Sequence, residues 1–409
     1  MQASVRLEHN LVSVEGEHDV HAMFELFVPQ PPDAAERPPL RLALVLDRSG
    51  SMAGDKLEVA KRCAAWLVGR LRERDELALV AYDDEVRLLA PLSRGHDGRL
   101  VHGIGSIWPG GSTNLSGGWL KGLEQLRRAP SAGPRKILLL TDGLANVGIV
   151  DPEQLVGITG GASGGGIGTS TIGFGTDFDE DLLTAMADAG GGNAHYAETP
   201  DAAPAIFAEE LEGLTSLVAQ NVALEIRPRP DVEMLGVLND YPQVAMTDGV
   251  QIQLGDAYGG ERRRIVFELR IPRLAELGVT LIADLVLRYV SVGDEIKEHT
   301  VTVPLAANLV SAAEAKTADA DLEVREEVLV LKAAQARRQA IELADDGQYE
   351  QARIVLEDRV HDLRAAGLAG EADELDRLAP SVSPAMYLSR GAARKSLRYQ
   401  ARNAQRRRQ

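Results

Sequence analysis

The spacing of apolar side chains changes character along the chain, and each change marks a different kind of element. Near the start, Val20, Ala22, Phe24, Leu26 and Val28 alternate with His21, Met23, Glu25 and Phe27. A period of two is what a half-buried strand requires, so residues 1–28 read as β. Pro29 to Pro39 then breaks regular structure and reads as a linker, 29–39.

From 40 to 217 strand and helix patterns alternate, the signature of a parallel α/β sheet. Leu42-Ala43-Leu44-Val45-Leu46 is a continuous apolar run, as expected of a strand buried on both faces. A helix is predicted over 56–74, a strand over 77–82, and an antiparallel return at Val86–Leu89 across the polar turn Asp83-Asp84-Glu85. That carboxylate cluster reads as a solvated hairpin turn, with metal binding as the alternative. Helices at 97–106, 115–128, 179–189 and 201–217 and strands at 137–140, 169–174 and 194–197 complete the unit. Residues 152–167 are crowded by Gly157, Gly160, Gly161, Gly164, Gly165 and Gly166. Each internal glycine costs about 1 kcal/mol relative to alanine, so a short or frayed helix is expected there.

Residues 218–306 return to alternation, as in Val222-Leu224-Ile226, Ile265-Phe267-Leu269 and Val279 to Tyr289. Short strands at such spacing suggest a β-sandwich, completed by the strands of 1–28, with the α/β unit as an insertion. The span 310–380 is helical, with segments at 324–344 and 347–366 read as a helical hairpin. The spacing of Ala340, Ala344, Gly347, Tyr349 and Ala352 resembles one tetratricopeptide unit, too few to stack into an array. The last segment, 381–409, is a basic tail, read as solubilising.

Composition narrows the function. With 409 residues, 44% hydrophobic and 26% charged, the chain can bury a large core in two or three domains. A net charge of −17 argues against a nucleic-acid surface and fits affinity for divalent cations. The single cysteine, Cys63, excludes an internal disulfide and reads as a buried small hydrophobe within the first helix. Met1 to Glu8 lacks a secretory pattern and no run reaches membrane-spanning length, so a cytoplasmic location is expected.

The chemistry concentrates where the apolar run ends. Asp47, Ser49 and Ser51 alternate beyond Leu46, so in extended chain they point the same way. The carboxyl end of a central parallel strand is where open α/β sheets bind ligands, and converging oxygens suit a hard cation such as Mg²⁺. Taken singly, Asp47 could cap the following helix and Asp142 could start a turn at Gly143.

Asp47-Arg48-Ser49-Gly50-Ser51 resembles the first motif of the metal-ion-dependent adhesion site of von Willebrand factor type A domains. Gly111-Ser112-Thr113-Asn114 resembles the second, with Thr113 in the ligand position, and Leu138-Leu139-Leu140-Thr141-Asp142-Gly143 the third. The resemblance implies a doubly wound, mostly parallel, six-stranded Rossmann-like sheet. It also implies a Mg²⁺ site (Mn²⁺ or Ca²⁺ as alternatives) formed by Asp47, Ser49, Ser51, Thr113 and Asp142. One face of the ion would stay open for a carboxylate from a partner protein. The insertion into a β-sandwich resembles inter-alpha-trypsin inhibitor heavy chains and bacterial relatives, some of which work beside an AAA+ ATPase. Neither nucleic acid nor a membrane span is expected.

Enzymatic readings find less support. Gly161-Ala162-Ser163-Gly164-Gly165 matches the G-x-S-x-G hydrolase pattern, but a nucleophile elbow needs a buried strand just before it, and Gln154 to Gly160 supplies too little. There is no phosphate loop and no H-E-x-x-H zinc motif. His195, on the last strand of the α/β unit, has no serine or cysteine motif to pair with and reads as structural. Hydroxyl ligands are also poor at making a metal activate water. The expectation is a non-enzymatic, cation-dependent protein-binding module, with an ATPase-associated subunit or a metal-dependent hydrolase as alternatives.

Overall fold

Why a short stretch such as Arg41–Asp47 is buried at every position is explained by what lies above and below it. The computed structural model describes residues 1–30, 38–94, 97–130, 133–175, 177–273, 277–292 and 297–377. The first strands are β1 (Gln2–Leu7), β2 (Leu11–Ser13) and β3 (His18–Phe27). The α/β unit follows with β4 (Arg41–Asp47), α1 (Asp55–Arg70), β5 (Glu76–Tyr82), β6 (Val86–Arg94), α2 (Gly98–Gly105) and α3 (Leu115–Arg127). It continues through β7 (Arg135–Thr141), α4 (Pro152–Gly164), β8 (Ile167–Phe174), α5 (Glu180–Ala189), β9 (Gly191–Ala197) and α6 (Ala203–Thr215).

These strands form one six-stranded sheet in the order β6-β5-β4-β7-β8-β9. Only β6 runs antiparallel to its neighbour. Because a strand turns alternate side chains to opposite faces, β4 feeds two cores. Leu42, Leu44 and Leu46 pack with Leu57 and Leu67 of α1, Leu100 of α2 and Phe207 of α6. Ala43 and Val45 pack with Trp119 of α3, Leu155 of α4 and Met186 of α5. Each fully buried Leu contributes roughly 1.5–3 kcal/mol, and the doubly covered sheet leaves only its strand ends free for polar chemistry.

Where a short or frayed helix is expected over 152–167, the structure has a continuous α4 of 13 residues that ends at Gly164. Asp151 caps it through the Glu153 N–H and Pro152 opens its first turn. Leu155, Thr159 and Ala162 are buried, so tertiary packing outweighs the glycine cost. The other expected helices and strands of the unit are present with ends shifted by a few residues; α1, for one, stops at Arg70.

After α6 come β10 (Leu217–Pro228), β11 (Glu233–Val237), β12 (Gln243–Met246), β13 (Gly249–Tyr258), β14 (Arg262–Ile271), β15 (Gly278–Ser291) and β16 (Lys297–Val310). They make two sheets, β1-β3-β14-β11 and β12-β13-β10-β15-β16-β2. Phe24, Leu26, Ile265 and Phe267 from the first meet Leu224, Ile226, Leu285 and Leu287 from the second in one core. β3 pairs with β14 and β2 with β16, so strands from before and after the α/β unit share both sheets.

The chain then turns helical in α7 (Ala312–Ala315), α8 (Leu322–Asp345), α9 (Tyr349–Ala365) and α10 (Ala369–Asp376). Val324, Val328 and Leu331 of α8 pack on Met23 and Val266 of the four-stranded sheet. Ala340, Ala352, Leu356, Leu363 and Leu375 form a separate core among α8, α9 and α10. The hairpin expected at 324–366 is therefore extended by α10, which packs against α9. Most of the proline-rich linker and the whole basic tail lie outside the described residues. Among those described, no helix is long and apolar enough to cross a membrane.

A buried charged cluster joins the α/β unit to the sandwich. Lys136, near the start of β7 and 1% exposed, donates from Nζ to Tyr258 Oη at 3.0 Å, with Asp256 Oδ2 at 3.8 Å. Beside it, Glu210 Oε1 lies 2.6 Å from His195 Nε2 and 2.7 Å from Asn193 Nδ2. Burial pushes the Glu210 carboxyl up, but the His195 hydrogen bond and the Lys136 charge outweigh it and hold it at about 2. Burial disfavours the Lys136 ammonium, yet Tyr258, Glu210 and Asp256 together raise it above its ordinary value. His195 thus sits in the buried cluster between the two units, hydrogen-bonded to Glu210.

Candidate metal centre

Two adjacent parallel strands end side by side, one at an aspartate and the other just before one. Asp47 is the last residue of β4 and Asp142 follows β7; both are fully buried. Asp47 is held rigidly, its Oδ1 accepting from the Ser49 N–H at 2.8 Å and its Oδ2 from Thr141 Oγ1 at 2.6 Å. Ser49 Oγ is 3.1 Å from Ser51 Oγ, which donates to Asp142 Oδ1 at 2.7 Å. Lys56 Nζ, in the first turn of α1, lies 2.5 Å from Asp142 Oδ2. Thr113 comes from the loop before α3 and is 3% exposed. Its carbonyl accepts from the N–H groups of Asn146 and Val147, which ties that loop to the one after β7.

Gly143 shows how tightly the hydroxyls converge. A Cβ at that position would stand 3.1 Å from Thr113 Oγ1 and 3.7 Å from Ser51 Oγ. All of Asp47, Ser49, Ser51, Thr113 and Asp142 therefore meet in one place. Ser51 is exposed while the other four are buried, which marks the side open to solvent.

Burial raises the Asp47 carboxyl to about 6, with the Asp142 charge adding to it and the Thr141 and Ser49 hydrogen bonds opposing it. Two buried carboxylates so close need positive charge. Among the described residues no cluster of three or more His, Cys, Asp or Glu is suited to a metal. The donor set here instead mixes two carboxylates with three hydroxyls. That all-oxygen set fits a hard dication and not a soft one.

Other residues brace the loops, and sequence reasoning missed them. Asp83 does not sit in a solvated turn. It is 3% exposed, and its Oδ2 lies 2.6 Å from Arg48 Nη2 and accepts from the Gly111 N–H at 3.1 Å. Only Asp84 and Glu85 are exposed. Arg48 in turn donates from Nη1 to the Trp108 carbonyl at 3.2 Å and accepts at its own carbonyl from the Gly110 N–H at 2.7 Å. The approach is so close that a Cβ on Gly110 would stand 1.7 Å from Asp83 Oδ2. The Asp83–Arg48 pair thus clamps the first and second motif loops together. The proline, tryptophan and glycines around Gly110 were the only hint in the sequence of so tight a loop. Trp108 itself is 70% exposed at this rim, with Lys61 Nζ 5.6 Å from its ring.

Ser163, in the hydrolase-like pattern, lies near the end of α4 and not on a strand-to-helix turn. Cys63 is buried in α1, its thiol pushed up to about 11 by burial.

Residues 42–209 match the family model of the von Willebrand factor type A domain. This segment has that fold. Such domains are commonly metal-dependent protein-interaction modules. The chain is 30% identical over 244 residues to YfbK, an uncharacterized protein of Escherichia coli, covering 58% of this chain and 42% of YfbK. It is also 30% identical over 161 residues to human inter-alpha-trypsin inhibitor heavy chain H3, covering 36% of this chain and 18% of that protein. The chain thus spans less than half the length of either relative. Among solved structures, a von Willebrand factor type A protein from Catenulispora acidiphila matches with a TM-score of 0.72 at 18% identity. That match covers 91% of this chain and 88% of the other, so the likeness in fold extends well beyond the α/β unit.

Proposed function

We propose that this protein is a cytoplasmic, non-enzymatic binding module whose partner is a protein presenting a carboxylate. Asp47, Ser49, Ser51, Thr113 and Asp142 would hold Mg²⁺, with Mn²⁺ or Ca²⁺ as substitutes. The observation that carries the reading is the convergence of two fully buried aspartates with three hydroxyls at the end of the central strands. When bound, the ion supplies an exposed positive charge that an incoming acid can coordinate. The chain's own residues do the rest. Ser49, Ser51 and Thr113 offer neutral oxygens, which leave more of the ion's charge unspent than carboxylates would. Thr141 and the Ser49 N–H orient Asp47, and the Asp83–Arg48 pair fixes the loops. The exposed Trp108 gives a partner apolar surface beside the open side.

The test is Mg²⁺ calorimetry on the full chain, paired with affinity purification in Mg²⁺ against EDTA. Asp47→Ala should lose both the cation and the captured partner. A variant that still captures the same partner in EDTA would overturn the metal bridge.

A further inference from the structure

Asp47 and Asp142 are not treated alike by the fold. Both oxygens of Asp47 accept from neutral donors, whereas Asp142 has a neutral donor, Ser51, on one oxygen and an ammonium, Lys56, on the other. Lys56 is also oddly placed for a helix. It sits in the first turn of the 16-residue α1, whose acidic neighbours Asp55 and Glu58 suit the positive end of the helix dipole. A lysine there is disfavoured unless it has a buried anion to face, and Asp142 is that anion. Its side chain is 27% exposed, so it bridges the buried carboxylate and solvent. Beside it stands Gly175, where a Cβ would come within 3.5 Å of Lys56 Nζ. With no side chain there, the flexible ammonium has room to leave.

We infer that Lys56 is the site's own counter-ion and competes with the dication for Asp142. Loading is therefore an exchange: the metal enters as the ammonium withdraws, and Lys56 sets the cation concentration at which the site fills. The reason is charge. Two carboxylates and one ammonium leave a single negative charge, which attracts a dication, but two cations cannot share Asp142 Oδ2 without strong repulsion in a buried setting. This inference rests on the cation reading above and adds to it a residue outside the five expected ligands.

The test uses the full chain stripped with EDTA. Mg²⁺ calorimetry is run on wild type, Lys56→Met and Lys56→Gln, and amine acylation of the wild type is mapped by mass spectrometry with and without Mg²⁺. Expected are Mg²⁺ binding about tenfold tighter in both variants and Lys56 acylated several-fold faster in Mg²⁺ than in EDTA. Lys121, paired with Glu124 on α3 and in contact with none of the five donors, should keep its rate. If the wild type binds Mg²⁺ but Lys56 labels at the same rate, or the variants bind no tighter, the exchange is wrong and the cation site stands. If neither Mg²⁺ nor Mn²⁺ binds the wild type, both readings fall. The labelling arm needs no variant, so a misfolded substitution does not rescue the idea.

Discussion

Replacing Lys136 with methionine keeps most of the unbranched side chain and deletes its charge, where the α/β unit meets the sandwich. Lys136 is 1% exposed, 3.0 Å from Tyr258 Oη and 3.8 Å from Asp256 Oδ2, and its charge helps hold Glu210 ionised. Deleting one partner of a buried charged set removes positive charge that the others rely on, at a cost of about 3–5 kcal/mol. For cooperative units of 150–250 residues each kcal/mol moves the midpoint by roughly 2–4 °C. Lys136→Met should therefore lower the melting temperature by roughly 6–20 °C. Because Lys136 belongs to one unit and Asp256 and Tyr258 to the other, the loss should also separate their unfolding in a calorimetric scan. The assay is scanning calorimetry in EDTA, so that cation binding does not mask the change. Adding Asp256→Asn to Lys136→Met should recover about 0.5–3 kcal/mol, the range for residues in direct contact. A single variant melting within about 2 °C of wild type, or a double variant with no recovery, would refute the argument that this charge is needed at the junction.

Three further outcomes can be measured. The Glu210 carboxyl is held at about 2 when folded, below its unfolded range of about 4.3; its contribution is full above that range and lost as pH falls toward the folded value. Urea unfolding from pH 6 to 3 should lose stability more steeply for wild type than for Glu210→Gln. Asp83→Asn releases Arg48, and Gly110→Ala drives a methyl into the Asp83 carboxylate; both should weaken Mg²⁺ by about tenfold or more in calorimetry without touching a ligand. Trp108→Ala should leave Mg²⁺ affinity unchanged while weakening capture of a purified partner by about tenfold or more; equal losses of both would place Trp108 in loop support.

What could be read in the sequence, and what could not, follows from where each residue's partners lie. The runs Leu42–Leu46 and Leu138–Leu140 announce a doubly covered sheet because burial on both faces removes the polar alternation. The five oxygen donors are legible because each stands in a short local pattern, at or just after the end of β4 for Asp47, Ser49 and Ser51, before α3 for Thr113 and after β7 for Asp142. Asp83 was misread because Asp83-Asp84-Glu85 looks like any solvated turn, and its partner Arg48 is 35 positions away. Lys136 lies just before the strand expected at 137–140, and its partner Tyr258 is 122 positions later. The glycines of 157–164 suggested fraying, yet burial of Leu155 and Ala162 keeps α4 whole. Lys56 is the subtlest case, since its helix predicts an exposed lysine and only the neighbouring strand supplies Asp142. Local pattern thus yields the five candidate donors, while the charges that balance and brace them come from contacts across the chain. Strands rise about 3.3 Å per residue, which puts Lys136 and Asp142 roughly 20 Å apart at opposite ends of β7. One strand therefore carries a charged junction to the sandwich at its start and the proposed cation site at its end. The strand between them is buried from Lys136 to Thr141, so a change in cation loading that altered the Lys136–Tyr258 contact along β7 would have to pass through close-packed residues of low compressibility.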